Sequence, residues 1–195
     1  MARIVGLSGS LRRGSYNAAL LRTAVELAPE GMTIDVAYIR GIPLYDGDVE
    51  ASDGVPAQVR QLKDQIAAAD GLLFVTPEYN NSIPGVFKNA IDWLSRPPAD
   101  VARVFKGRPV AITGTSPGRF GTLLSQTAWL PIVRTLGMRP FYGSNLYVAH
   151  AAKAFDAEGQ LVNAEIRAHL SRRGVLPPAY DRGVPTPDLP PTGGH

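Results

Sequence analysis

Short apolar runs that end in glycine- or hydroxyl-rich loops, alternating with stretches of helical periodicity, constrain this chain more than any other feature. Arg3-Ile4-Val5-Gly6-Leu7-Ser8 is such a run, and Leu20, Leu21, Ala24, Leu27 and Ala28 follow at helical spacing behind Ser15, an N-cap residue type. A second strand is expected over residues 33–39. Val55, Val59, Leu62, Ile66 and Ala69 then place one apolar stripe on a helix, with Pro56 in its first turn. Residues 71–76 form the clearest buried strand. Phe87, Ala90, Ile91 and Leu94 mark a helix opening near Pro84 and closing before Pro97. A strand over 110–113, a helix over 122–136 bent or interrupted at Pro131, a strand over 140–148 and a helix over 161–173 complete the pattern.

Strands separated by helices require right-handed crossovers and hence a parallel sheet covered on both faces. Five strands and five helices point to a doubly wound five-stranded α/β fold with the flavodoxin-like order 2-1-3-4-5. In that order the C-terminal loops of strands one, three and four share a crevice where the winding reverses. Residues 1–174 read as one domain. Residues 175–195 carry Pro177, Pro178, Pro185, Pro187, Pro190 and Pro191 without apolar periodicity, and an extended or disordered tail is expected there.

Composition removes several function classes. With no cysteine, disulfides, thiolate metal sites and cysteine nucleophiles are excluded. A formal net charge of +3 does not imply nucleic acid, which would require lysines and arginines clustered on one face. No apolar run approaches membrane-spanning length or the form of a secretory signal, so a cytoplasmic protein is expected. His150 and His169 lie too far from any cluster of aspartate, glutamate and histidine for a metal to be expected, and Ser125 lacks the surroundings of a hydrolase nucleophile.

Three loops carry the chemistry. The first, Ser8-Gly9-Ser10-Leu11-Arg12-Arg13-Gly14-Ser15-Tyr16-Asn17, joins a buried strand to a helix N-terminus, where unpaired N–H groups favour an anion. Ser10, Ser15 and Asn17 add neutral donors and Arg12 a charged one, a set suited to a phosphate monoester. The second, Thr76-Pro77-Glu78-Tyr79-Asn80-Asn81-Ser82-Ile83-Pro84-Gly85, is stiffened by prolines and sets an aromatic among amides and hydroxyls. A planar heterocycle needs that combination of edge and face contacts. The third, Gly114-Thr115-Ser116-Pro117-Gly118-Arg119-Phe120-Gly121-Thr122, has glycines that let backbone approach a ligand.

Together, the Gly-Ser-Leu-Arg-Arg-Gly-Ser-Tyr-Asn run (9–17), the Thr-Pro-Glu-Tyr-Asn run (76–80) and the Ser-Ile-Pro-Gly-Val-Phe-Lys-Asn-Ala-Ile-Asp-Trp-Leu-Ser run (82–95) resemble the NAD(P)H-dependent FMN reductases, including chromate and quinone reductases and some azoreductases. The resemblance implies non-covalent FMN in a flavodoxin-like subunit. It implies that Ser10, Arg12, Ser15, Tyr16 and Asn17 hold the phosphate end, that Pro77, Glu78, Tyr79, Asn80 and Ser82 flank the ring, and that Thr115, Ser116 and Gly118 lie on its other side. It also implies a site near the interface of a dimer or tetramer, with the helix of Phe87, Trp93 and Leu94 contributing. The implied activity is a ping-pong transfer of two electrons from NAD(P)H to quinones, with azo compounds, nitroaromatics or chromate as further acceptors. The flavin carries the hydride chemistry, so no catalytic residue is required of the protein. An FMN-binding electron carrier or redox sensor, and a phosphoester-binding module without flavin, are the rival readings.

Overall fold

The computed structural model describes residues 1–142 and 145–171. The proline-rich segment assigned to a tail, 175–195, lies outside the described residues. Along the chain the elements are β1 (Ala2–Ser8), α1 (Tyr16–Glu26), β2 (Met32–Ala37), α2 (Gly47–Asp53), α3 (Ala57–Ala67), β3 (Gly71–Val75), α4 (Gly85–Leu94), α5 (Val101–Val104), β4 (Pro109–Thr115), α6 (Leu123–Thr135), β5 (Arg139–Pro140), β6 (Tyr147–Val148), α7 (Ala151–Ala154) and α8 (Ala164–Leu170). A 3-10 turn, Pro98–Asp100, leads into α5.

The sheet runs β2-β1-β3-β4-β5 with every pairing parallel, the expected order. Its two faces separate by strand alternation. Val5, Leu7, Leu72, Phe74 and Val110 point into one core with residues of α3, α4 and α6, including Val59, Leu62, Phe87, Ile91 and Trp129. Ile4, Ile34, Leu73, Val75 and Ala111 point the other way, onto Leu20, Leu21 and Ala24 of α1 and Leu170 of α8. β3 is buried at all five residues, as a central strand covered on both sides must be.

Four departures from the sequence reading have local causes. The strand expected over 140–148 is two short pieces: β5 pairs with the start of β4 and β6 with its end. Pro140 has no N–H to extend the first ladder, and the Tyr142 to Asn145 stretch between the pieces lacks strand-forming pattern. The last helix begins at Ala164 because Asn163 accepts a hydrogen bond from Ile166 N–H, and Arg173 lies outside the described residues. α2 escapes the periodicity reading because none of its residues is buried. Pro131 stands inside an unbroken α6, which gives up one backbone hydrogen bond there. Among the described residues, no helix is long and apolar enough to cross a membrane.

Candidate functional site

At the C-terminal edge of the sheet the ends of β1, β3 and β4 stand side by side, and direct bonds join their loops. Gly9 N–H donates to Val75 C=O (2.9 Å), and Thr76 N–H donates to Thr113 C=O (2.8 Å). Asn17, buried in the first turn of α1, makes a two-way bond with the last residue of β4. Its Nδ2 donates to Thr115 C=O and its Oδ1 accepts from Thr115 N–H, both at 2.9 Å.

Glycine permits two approaches that no other residue would. A Cβ on Gly9 would stand 2.4 Å from Phe87 Cδ1 and 3.0 Å from Pro77 Cδ, so the first loop lies directly on the second. A Cβ on Gly114 would stand 2.0 Å from Thr76 C=O oxygen, so the ends of β3 and β4 close up as well. Beneath them Phe74, Phe87 and Trp129 pack with ring centroids 4.9 to 5.2 Å apart.

The second loop is shaped by its own side chains. Tyr79 and Ser82 exchange backbone hydrogen bonds (3.1 and 3.0 Å) around Asn80 and Asn81, whose φ angles of 49° and 61° are both left-handed. This is a tight turn of the kind asparagine tolerates best after glycine. Glu78 reaches across to α6, where its Oε2 accepts from Leu124 N–H (2.9 Å) and Ser125 N–H (3.0 Å). α6 has no side-chain cap of its own at Thr122, so Glu78 supplies one from a distant loop. Thr76 Oγ1 meets Ser125 Oγ at 2.9 Å and accepts from Trp129 Nε1 at 3.2 Å. Tyr79 remains 45% exposed on the outside of this braced turn.

The first loop is arranged differently. Ser15 caps α1, accepting from Ala18 N–H at 3.3 Å, which leaves the first-turn N–H groups of Tyr16 and Asn17 without intrahelical partners. Ser10 Oγ accepts weakly from Arg12 N–H (3.4 Å), and Arg12 Nη2 donates to Gly14 C=O (3.1 Å). Tyr16 stacks on Phe155, centroids 5.1 Å apart. In the third loop Ser116 Oγ donates to Gly121 C=O, and Gly118 C=O accepts from His150 N–H (3.0 Å). Thr115 Oγ1 is the one buried side-chain polar atom without a hydrogen-bond partner among the described residues. Phe87, Trp93 and Leu94 of α4, the helix expected to contribute to a subunit interface, are fully buried inside the subunit because their stripe faces the sheet, while Val86 of the same helix is exposed.

A cleft of about 260 Å³ opens on the far side of the first loop, between α1 and the end of β2. Ser10 and Arg12 line it, together with Arg22, Tyr38 and Arg40, which the sequence reading passed over. The available signal was Tyr38 and Arg40 at the end of a strand, together with Arg22 at the exposed position between buried Leu21 and Thr23 of α1.

These residues fit a phosphorylated planar cofactor. A dianionic phosphate would find two free amides, the Ser10 hydroxyl and the Arg12 guanidinium, and no carboxylate lines the cleft beside them. An unpartnered buried hydroxyl such as Thr115 Oγ1 costs about 1–3 kcal/mol. That cost is in keeping with a sheet end completed by a ligand.

A parallel five-position sheet with a polar helix N-terminus and a stiff aromatic turn at its winding reversal defines the flavodoxin-like class of FMN oxidoreductases. Residues 2–153 match the family model described as NADPH-dependent FMN reductase, and the chain belongs to that family. It is 48% identical over 171 residues to an NAD(P)H-dependent FMN reductase of Pseudomonas aeruginosa, covering 88% of this chain and 90% of that protein. It is 41% identical over 168 residues to a 2-hydroxy-1,4-benzoquinone reductase of a Burkholderia species, covering 86% and 90%. Among solved structures, the flavoenzyme NAD(P)H:(acceptor) oxidoreductase of Paracoccus denitrificans superposes with a TM-score of 0.77 at 34% identity, covering 88% of this chain and 92% of that one. The chain is an FMN- and NAD(P)H-using oxidoreductase.

Proposed function

We propose that this protein is a quinone reductase working by alternate occupation of one site, first by NAD(P)H and then by the acceptor, with azo compounds, nitroaromatics or chromate as secondary acceptors. Bound FMN would supply the hydride chemistry. The chain's own residues bind, orient and exclude water.

The observation that carries this reading is the division of labour between loops. The first keeps Ser10, Arg12 and the amides of Tyr16 and Asn17 available for a phosphate, while the second is locked by Glu78 and the Tyr79–Ser82 turn into a rigid wall. Ser15 and Asn17 set the position of the helix start, Ser15 as its cap and Asn17 through Thr115. Pro77, Tyr79, Asn80 and Ser82 would border one edge of the ring, and Thr115, Ser116 and Gly118 the other. Tyr16, stacked on Phe155, holds the helix start from behind. A rigid wall lets backbone N–H groups oppose charge developing on the ring without reorganising, the usual source of electrostatic catalysis.

Residues 1–174 would act as one reductase domain. A homodimer or homotetramer is supported by apolar side chains left exposed on and beside the second and third loops: Tyr79, Val86, Phe120, Leu123 and Leu124. The test is anaerobic mixing of the FMN-loaded protein with NADPH or NADH, followed by a panel of quinones. Rapid loss of the oxidised-flavin absorbance and its recovery on adding quinone are expected. A flavin band that neither nucleotide bleaches would make the protein a carrier, and a protein unable to take up FMN would remove both flavin readings.

A further inference from the structure

The cleft between α1 and β2 lies on the opposite side of the first loop from Pro77, and its charge is one-sided. Arg12, Arg13, Arg22 and Arg40 line it, and no aspartate or glutamate does. Elsewhere Arg3, Arg96 and Arg103 each face a carboxylate. Here Arg12 and Arg40 rest only on backbone carbonyls, of Gly14 and Leu11, and Arg13 and Arg22 have no ion-pair partner among the described residues. Four guanidinium groups held together without counter-charge repel one another. A site built this way is stabilised by an anion, and guanidinium forks match a phosphate monoester best.

The rest of the lining narrows the ligand. Leu21 and Val36 make an apolar floor, and Tyr38 stands 73% exposed at the rim, a flat ring open for stacking. An aromatic face, an apolar floor and a cluster of arginines suit a phosphorylated nucleoside rather than free phosphate. The ends of β2 and β3 are two inter-strand spacings apart, about 10 Å. An extended dinucleotide, two nucleosides joined through a pyrophosphate, reaches across that distance.

We propose that this cleft takes the adenosine 2′-phosphate of NADPH, with Arg13, Arg22 and Arg40 on the phosphate and Tyr38 against the adenine, so that the protein prefers NADPH over NADH. The assignment rests on the reading that a reduced nicotinamide nucleotide is the electron donor. Arg12, whose Nη2 is held on Gly14 C=O just ahead of α1, stays with the flavin phosphate.

The FMN-loaded protein decides it. Wild type should bind 2′,5′-ADP at least roughly tenfold more tightly than 5′-AMP by calorimetric titration, because only the former carries the extra phosphate. The double variant Arg13→Gln, Arg22→Gln should lose that preference and raise KM for NADPH about tenfold or more, leaving KM for NADH, kcat and flavin content unchanged. Equal binding of the two adenosine nucleotides, or an equal rise in KM for NADPH and NADH, would overturn the proposal. Loss of FMN from the double variant would also overturn it, by assigning the cleft to the flavin's own phosphate. Should wild type oxidise neither nucleotide, the donor reading fails separately, and the 2′,5′-ADP titration still shows whether the cleft selects a 2′-phosphate.

Discussion

The two loops that meet at Gly9 use their polar groups in opposite ways. The second loop directs its groups inward. Glu78 caps α6, Thr76 closes on Ser125 and Trp129, and Tyr79 pairs with Ser82 around two left-handed asparagines. In the first, Ser10 and Arg12 make only short-range contacts, Ser10 to Arg12 and Arg12 to Gly14, and the helix amides of Tyr16 and Asn17 stay without intrahelical partners. The difference teaches that ligand affinity and loop rigidity are carried by different residues at this site. Changes in the second loop should cost stability together with flavin, and changes at Ser10 or Arg12 of the first should cost flavin alone.

The sharpest way to break that comparison is at the seam beneath both loops. Gly114→Ala puts a methyl group where Thr76 carbonyl oxygen already sits, a backbone-to-backbone clash that no side-chain rotation relieves. Destabilisation of about 3 kcal/mol or more is expected, measured by urea unfolding, with flavin lost at the same time. Arg12→Ala should leave unfolding of the apoprotein within about 0.5 kcal/mol of wild type while weakening FMN binding by about 1.5–3 kcal/mol, read by fluorescence titration of the flavin. Unchanged FMN affinity would remove Arg12 from the phosphate site. Glu78→Ala strips the cap from α6 and should cost about 1–2 kcal/mol of stability as well as flavin. Glu78→Gln, which still offers an oxygen to the same amides, should recover most of both. If Glu78→Ala lowers FMN affinity without touching stability, the glutamate contacts the cofactor and the separation between the loops is false.

The strand order and the three loops were legible because they depend on local signals: apolar runs of strand length, helical spacing, and turn residues at strand ends. Ser15 as a cap and Pro84 as a helix start are readable for the same reason. What escaped depends on contacts between residues far apart in the chain. Nothing local links Glu78 to Leu124, or Asn17 to Thr115, so the part these two residues play in holding one loop against another carries no sequence signal. The stripe of Phe87, Ala90, Ile91 and Leu94 is readable as apolar, but periodicity alone does not say what it packs against, and the structure buries it against the sheet. The arginine-lined cleft is assembled from α1, the first loop and the end of β2, and shows no spacing signature at all. The paired left-handed turn at Asn80 and Asn81 was within reach, since adjacent asparagines between Tyr79 and Ser82 are a hairpin signal.

A smaller effect tests whether the second loop's rigidity extends beyond its own bonds. α4 continues that loop, and its far side is clamped by the segment before α2. Tyr45 N–H donates to Asn89 Oδ1 (2.8 Å), Tyr45 hydroxyl donates to Glu50 (2.9 Å), and Arg96 Nε donates to the same Glu50 oxygen (2.8 Å). The hydrogen bond from Arg96, with help from Tyr45, holds the Glu50 carboxyl below its usual range. Arg103 and then Lys63 do the same for Asp100, next to α5. Both folded-state values lie below the unfolded ones, so their stabilisation is fully present above the ordinary carboxylate range and is lost as pH falls through the lowered values. Arg96 and Arg103 are well exposed to solvent, which limits each pair to under about 1 kcal/mol. Acidification from about pH 6 to about pH 3 should therefore lower the urea midpoint, and Glu50→Gln should flatten part of that slope. Hydrogen exchange should quicken in α2 and α4 before α1. Faster exchange in α1 first would mean that the helix bearing the open loop, not the one continuing the braced loop, is the weaker support.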